Sequence, residues 1–515
     1  MKTPPKQLLA LLLCGCCLLT ACGAPAGQAS ASSAAQAPAP TQNTDHELVL
    51  AYAKQEGFNP YLSTNTLVLQ CAQLLYANLV TIKDDFSLEY LAAASVQPGV
   101  DSVRITPGSV VFADGSRVSA ADIAASIEAA RASALYGSRF SGVTGVRVEG
   151  DAVVVSISEP DVLFAYLLDI PVMKAGQTGE KQPMASGQYS VGPEGNTLVA
   201  NASFAEKTPF DTITLNPVTA YDAIVSGVNM GTLSLYVSEQ DADLAGNNIC
   251  KTAYYNLNHL VFLGINAADA VANQPAVRSA LNLGVSRRQI ADKAYYSRAY
   301  VATTLANSRY PFLEGAHTLP ADADTAAAKA QIETLGYTYD SGTGYYQDAS
   351  GKRLSLELLC YSGNTFKRYL ATLVKEQLKD CGVEINVVEE NDFAAYHEKI
   401  ASGQFSLYIG EVKLYNNINM SPFFSAAGDA HYGIVPSEAL LGAYRAAKAD
   451  LAAYGAFEQA FAAELPFLPL IYKNGVVTYT KQLKGFAPTL SDAFYGFEQV
   501  SSVPAKNKAG TYKGV

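Results

Sequence analysis

Tryptophan is absent from all 515 residues, and charge is scarce at 16% of the chain. With no Trp, the 31 tyrosines must supply most aromatic walls, each adding a hydroxyl for polar contacts. The five histidines (His46, His259, His317, His397, His431) are scattered. No two stand at metal-ligand spacing, so neither a resident metal nor another cofactor is expected. Net charge is -11 and no basic run stands out. That argues against nucleic acid, because neutralising phosphates needs clustered Lys and Arg. Neither a Gly-x-Ser-x-Gly elbow nor an HExxH helix nor a Cys–His signature is present, and no enzyme is expected. Four of the eight cysteines lie within the first twenty-two residues. The other four, Cys71, Cys250, Cys360 and Cys381, lack the CxxC spacing of a zinc ribbon or thioredoxin-like motif. A Cys360–Cys381 disulfide is open to an exported protein. The apolar neighbours of all four favour small buried thiols instead.

The first residues carry the most information. Lys2 and Lys6 precede an apolar run, Leu8 to Leu19, that ends in Leu19-Thr20-Ala21-Cys22. A basic start, a short apolar run and small residues before a cut mark a secretory signal peptide. The run is shorter than the ~20 residues that span a bilayer. With Cys22 directly after Leu-Thr-Ala, the segment resembles a bacterial lipoprotein lipobox, which implies lipidation of Cys22 as the mature N-terminus. Residues 23–45 are nearly all Ala, Ser, Pro, Gln, Gly and Thr. Such a stretch has too little apolar bulk to offset ordering entropy, and is expected to be a flexible tether. The folded chain is expected to begin near His46. No later apolar stretch is long enough to cross a membrane.

Along the rest, hydrophobic residues at 49% suit a large buried core and two or three domains. His46 to Lys54 alternates like a strand, and Leu67 to Leu79 has helical spacing. Val100 to Phe112 reads as two β pieces broken at Pro107-Gly108, followed by an Asp114-Gly115 turn. Ser119 to Asp122 reads as a helix cap with an acid in the first turn. On this reading Asp114 and Asp122 are turn and cap residues. Val146 to Ile157 suggests a hairpin around Gly150-Asp151. Further strands are expected at Gln188–Tyr189, Thr197–Ala200, Phe210–Pro217 and Asn258–Asn266. Pro275 opens a helix carrying Arg278 as a structural residue, and Ser286 to Gln289 forms a second capping box. The strand–helix–strand–helix–strand order from Leu354 to Ile409 implies a mostly parallel sheet.

Several segments together resemble the family 5 extracellular solute-binding proteins, the oligopeptide, dipeptide and nickel receptors of ABC importers. They are FNPYLSTN (Phe58–Asn65), LLYANLV (Leu74–Val80), VVFADGSRVSAADIAASI (Val110–Ile127), ASGQYSV (Ala185–Val191), the crossover Val261–Ile290 and ELPFLPLIY (Glu464–Tyr472). The resemblance covers His46 to Phe486. It implies an α/β, two-lobed periplasmic-binding-protein-like fold of class II, with mixed sheets, hinge strands and an inserted small domain. The implied division is 1–22 signal peptide, 23–45 tether, 46–77, 175–260 and 474–510 as a discontinuous first lobe, 78–174 as the insert, and 261–473 as the second lobe. It further implies a monomer tethered outside the cell membrane by lipid on Cys22. That monomer would take a short peptide or other small solute between its lobes and hand it to an ABC permease and its ATPase.

The resemblance breaks at one informative place. Peptide-binding members follow the strand equivalent to Phe405–Ile409 with a Gly-Trp-x-x-Asp-Tyr-like motif, whose Asp pairs with the peptide ammonium. Here the residues are Gly410-Glu411-Val412-Lys413-Leu414-Tyr415-Asn416-Asn417. The Trp becomes Glu411 and the acid falls on Leu414, which cannot neutralise an ammonium. Either Glu411 replaces the anchor, or the ligand lacks that group and is a metal chelate or another non-peptide solute. A transport-uncoupled sensory lipoprotein is a further alternative. Glu411 and Lys413 would share one side of the strand if it continued. They form either a surface pair or a cleft wall. Asn416 and Asn417 are turn residues or ligand contacts. Tyr61 and Asn65 lie in a turn that faces the cleft in this family. The candidate ligand contacts are therefore Tyr61, Asn65, Glu411, Lys413, Tyr415, Asn416 and Asn417.

Overall fold

The structure, a computed structural model, describes residues 47–239 and 250–502. The expected signal segment 1–22 with Cys22, and the expected tether 23–45, lie outside the described residues.

The strand expected at Asn258–Asn266 is the second half of a longer one, Cys250–Ile265. Its first half, CKTAYYNL, mixes polar and apolar residues and hides the strand from a hydrophobicity reading. This strand pairs antiparallel with Phe467–Thr480 on one edge and with Leu407–Lys413 on the other. Leu407–Lys413 runs parallel to Ser355–Tyr361, which runs parallel to Glu384–Glu390. The helices Thr365–Asp380 and Phe393–Ala401 make the crossovers. The first ends at Gly382 with φ +78°, where the Val383 N–H reaches back to the Leu378 carbonyl. Leu235–Ser238 and Ala299–Val301 also join Phe467–Thr480. Among the described residues this makes one mixed sheet of seven strands.

Two smaller sheets complete the frame. Leu48–Ala51 pairs parallel with Thr212–Asn216, which continues antiparallel to Thr197–Ala200 and Tyr189–Val191. A second, antiparallel sheet holds Ala93–Pro98, Ser102–Pro107, Ala152–Ile157 and Val143–Glu149. The helix Ala120–Ala132 covers it with Ile123, Ile127 and Ala130. Ser119 and Asp122 close a reciprocal capping box at its start.

Four local differences have physical causes. The helix expected over 67–79 is Thr66–Leu75; Tyr76 turns extended, and the Leu79 N–H pairs with Ile170 instead. Beyond Pro107-Gly108, only an isolated bridge between Val111 and Arg117 forms. Ala93–Pro98 is a strand with little apolar pattern, made by its pairing to Ser102–Pro107. At Ser286 half the capping box forms: its hydroxyl accepts from the Gln289 N–H, while its own N–H goes to Gln377 Oε1.

Among the described residues two large hydrophobic cores result, with a small third one around Val49 and Val228, and the two central strands feed both large ones. Leu260–Ile265 and Phe467–Tyr472 lie in the larger core, with the helices around Leu281, Leu370 and Phe457. Tyr255, Leu257, Val477 and Tyr479 lie in the second, with Leu50, Leu74 and Val153. Between the two halves the pairing slips, at Asn256–Leu260 against Asn474–Tyr472. A break of this kind bends a strand and removes ladder bonds locally.

Arg287 is fully buried beside these strands without a carboxylate. It donates to the carbonyls of Pro469 (2.7 Å), Pro320 (2.9 Å) and Asn282 (3.3 Å), and to Asn282 Oδ1 (2.6 Å). Burial lowers its pKa to about 9, so it stays charged at neutral pH. Arg278, by contrast, bonds locally to Asn273. The four described cysteines are all free thiols; Cys71, Cys360 and Cys381 are buried and Cys250 half-buried. Burial pushes the Cys71 and Cys360 thiols up to about 12, which makes them unreactive.

Glycine and aromatic residues face each other between the strands Cys250–Ile265 and Leu407–Lys413. Gly410 sits opposite Phe262, and Gly264 opposite Tyr408. A methyl group on Gly410 would come within 2.2 Å of the Phe262 ring. Gly442, inside the helix Glu438–Ala449, has open space instead. Gly410→Ala is expected to cost about 1–3 kcal/mol through overpacking. Gly442→Ala is expected to stabilise by about 0.5–1 kcal/mol through helix propensity. Urea unfolding of the two variants checks the opposite signs.

Candidate functional site

A cavity of about 150 Å³ opens where five distant stretches meet, the last of them Leu490 and Ser491. Pro60, Gln73 and Asn78 line one wall, and Tyr136, Arg139 and Asp169 another. Asn258 comes from the slipped register of the central strand, and Lys413, Leu414 and Asn416 follow the neighbouring strand. The cavity therefore lies at the bend in the strands that connect the two cores.

Its polar wall is a connected network. Arg139, in the short helix Gly137–Phe140, forms an ion pair with Asp169 and lies 4.9 Å over the Tyr136 ring. Burial pushes the Asp169 carboxyl above its usual value, although Arg139 acts in the opposite direction. The second Asp169 oxygen accepts from Asn416 Nδ2 at 3.2 Å. Asn416 Oδ1 accepts from Asn258 Nδ2 at 3.0 Å, and Asn258 Nδ2 also donates to the Tyr310 hydroxyl at 2.8 Å. That hydroxyl donates to the Asn416 carbonyl at 2.5 Å. Both Asp169 oxygens are thus engaged, and Arg139 puts a cation against the cavity. Leu414, 4% exposed, is an apolar part of the wall, and its N–H bonds to the Asn258 carbonyl.

Three consecutive residues after the strand make a bridge. The Tyr415 hydroxyl donates to Ser138 Oγ at 2.5 Å, Asn416 reaches Asp169, and Asn417 Nδ2 donates to Asp161 Oδ2 at 2.5 Å. Asp161 also receives Lys448 Nζ at 2.7 Å, and both side chains are mostly buried. The loop 415–417 is thereby fixed to the stretch 138–169, on the other side of the cavity.

The sequence-selected residues take different places. Lys413 and Asn416 line the cavity. Tyr415 and Asn417 belong to the bridge. Tyr61 is buried behind the wall, with its hydroxyl donating to the Pro171 carbonyl and its ring 5.7 Å from Tyr136. Asn65 caps the helix Thr66–Leu75 and bonds to Glu56. Glu411 is not among the cavity residues: one carboxylate oxygen lies 2.8 Å from Lys473 Nζ, the other 2.9 Å from Lys367 Nζ. Burial alone would raise its pKa, but the two lysines outweigh that and hold it at about 2. The strand does continue through Lys413, which pairs with Glu239 at 2.7 Å. Sequence reasoning missed Arg139, Asp169 and Tyr136. The only local signal is an Arg and an Asp in otherwise weakly charged stretches.

Two cores joined by bent strands, with a cavity at the bend, define a two-lobed binding protein. Residues 109–430 match the family described as bacterial extracellular solute-binding proteins, family 5, and the chain belongs to it. It is 26% identical over 241 residues to the nickel-binding periplasmic protein of Escherichia coli K12, a match that spans 44% of this chain and 45% of that protein. The chain thus aligns with less than half the length of that relative. It is 23% identical over 415 residues to the oligopeptide-binding protein AppA of Bacillus subtilis 168, covering 74% of this chain and 75% of AppA. The structure of AppA in complex with a nonapeptide superposes with a TM-score of 0.57 at 19% identity, covering 90% of this chain and all of that one. NikA from Brucella suis in complex with Fe(III)-EDTA gives a TM-score of 0.67 at 16% identity, covering 88% and 100%. These likenesses establish the α/β two-lobed fold with its mixed sheets.

The bridge is open to a direct test. Asp161→Ala leaves Lys448 buried without its carboxylate, and is expected to cost about 3–5 kcal/mol. Adding Lys448→Met is expected to restore part of the loss. A double-mutant cycle by chemical denaturation reads the coupling.

Proposed function

We propose that this chain is the solute-capturing component of an ABC importer, and that it takes a short peptide between its lobes and delivers it to a permease and ATPase. The observation that carries this is the cavity at the bend of the connecting strands, in a chain of this family. Such interfaces are where ligands are held and where hinge closure acts. Arg139 offers a cation for a peptide carboxylate, with Tyr136 beside it as an aromatic wall. Lys413 and Asn416 are direct contacts on this reading; Tyr61, Tyr415 and Asn417 support them from behind. The division into 46–77, 175–260 and 474–510, the insert 78–174 and the lobe 261–473 makes the bend the hinge. The receptor works as a monomer outside the cytoplasm, anchored by lipid on Cys22.

A metal chelate is the second reading, and a specific observation favours it. Leu414 stands where peptide-binding relatives carry the ammonium-pairing acid, and both Asp169 oxygens already have partners. The charge turned to the cavity is then cationic, which also suits the carboxylates of a chelator. Among the described residues, no group of three or more His, Cys, Asp or Glu could hold a metal by itself. The metal would arrive inside its chelator.

The soluble protein beginning at Asp45 is expected to melt higher with di- to pentapeptides. A ligand at a hundredfold excess over its dissociation constant adds about 2.7 kcal/mol. Arg139→Ala should abolish the shift. A shift with chelates alone selects the second reading, and no shift with either overturns both. Cys22→Ser in the full chain is expected to release the protein from the membrane fraction; full retention would refute the anchor.

A further inference from the structure

Glu411 and Lys413 lie on one face of the strand Leu407–Lys413, two residues apart. Lys413 lines the cavity, and Glu411 lies two residues before it in the same strand. Three elements converge on the Glu411 carboxylate. Lys473 comes from the central strand Phe467–Thr480, and Lys367 from the first turn of the helix Thr365–Asp380. Lys473 is 5% exposed and the Lys367 side chain 16%. Each ammonium touches a different oxygen, at 2.8 and 2.9 Å. Across the strand pair, His259 stands opposite Lys413, 4.0 Å from Glu411 Oε1 and 3.4 Å from Glu239 Oε2. Burial foremost, with Lys413 and Lys473 adding to it, keeps His259 below its ordinary pKa although Glu239 acts in the opposite direction. Among the described residues the cluster therefore brings three lysines together with two carboxylates.

Two ammonium groups this poorly solvated repel one another unless an anion lies between them. In a solute-binding cleft that anion has two sources, the ligand or the chain. We propose that Glu411 is a built-in carboxylate that fills a two-lysine subsite beside the cavity, so that the receptor selects solutes carrying no carboxylate at that point. This rests on the solute-receptor reading and deepens it by naming the excluded chemistry. It also separates Glu411 from an ammonium anchor. Both its oxygens are committed, and an incoming ammonium would have to displace a lysine. Arg139 serves a ligand carboxylate at the opposite wall, while the Glu411 side refuses one. A solute with a single terminal carboxylate can then bind in one direction only.

The test removes the internal anion and offers another. Melting of the soluble protein is followed in acetate and, at equal concentration, in neutral acetamide. Glu411→Ala is expected to melt several degrees below wild type and to be raised saturably by acetate but not by acetamide. Wild type should respond equally weakly to both. Glu411→Gln, which keeps the shape and loses the charge, repeats the comparison if the alanine variant does not fold, with the same preference for acetate expected. In a second arm, short peptides are paired so that one carries Glu where the other carries Gln. The Glu member should gain on the order of tenfold in affinity for Glu411→Gln relative to wild type. Equal responses to acetate and acetamide in both variants, or an acetate response of wild type as large as theirs, overturn the proposal. Absence of any peptide response in every protein counts against the peptide-receptor reading, while the acetate comparison still decides the subsite.

Discussion

The antiparallel pairing of Cys250–Ile265 with Phe467–Thr480 is the constraint on which the rest depends. These strands are central to the seven-stranded sheet, and each enters both hydrophobic cores. A strand can serve two cores only if its pairing bends between them, and here it does so at Asn256–Leu260. The bend leaves polar groups without regular ladder partners, and those groups must be satisfied in another way. The Asn256 N–H donates to Asp84 Oδ1 at 3.1 Å, and the Asn258 carbonyl accepts from the Leu414 N–H at 2.9 Å. The Leu257 carbonyl accepts from Asn307. The polar wall of the cavity thus arises partly from the need to complete hydrogen bonds at the bend.

Electrostatics around the bend follow one pattern: buried charges are engaged by neighbours from other elements. Arg287 is held by carbonyls from three places in the chain, and Glu411 by two lysines. Asp161 takes Lys448 and Asn417, and Asp169 takes Arg139 and Asn416. With only 16% charged residues, the chain places a large share of its informative charges at junctions rather than on helix faces. Exposed pairs such as Arg288–Asp322 add little by comparison.

Much of the fold was legible because its periodic segments are long and well punctuated. The helix Thr365–Asp380 carries Leu370, Leu373, Val374 and Leu378 on one face and ends at a glycine. Ser119 and Asp122 announced a capping box that forms in full. The first half of Cys250–Ile265 was not legible, because it is held by its pairing with Phe467–Thr480 rather than by its own pattern. The site was legible only in part. Residues 411–417 drew notice by their place after a strand. Their partners Ser138, Asp161 and Asp169 are more than 240 positions away, and no local pattern marks them. In the sequence Glu411 reads as a surface partner of Lys413 or as part of a cleft wall; the two lysines that engage it sit 44 positions before and 62 positions after it.

The bridge formed by Tyr415, Asn416 and Asn417 has a kinetic meaning. It joins opposite sides of a cavity of about 150 Å³ using groups that all belong to the protein. On the solute-receptor reading proposed above, a solute larger than the cavity enters only when these bonds let go, at about 0.5–1.5 kcal/mol for each neutral one and more where a charge takes part. The fraction of molecules open at any moment then scales the apparent affinity, and uptake at high solute concentration levels off at the rate of opening. The same bonds delay escape. On that reading three adjacent side chains act as a timer, giving slow capture and long residence rather than rapid exchange with every passing solute.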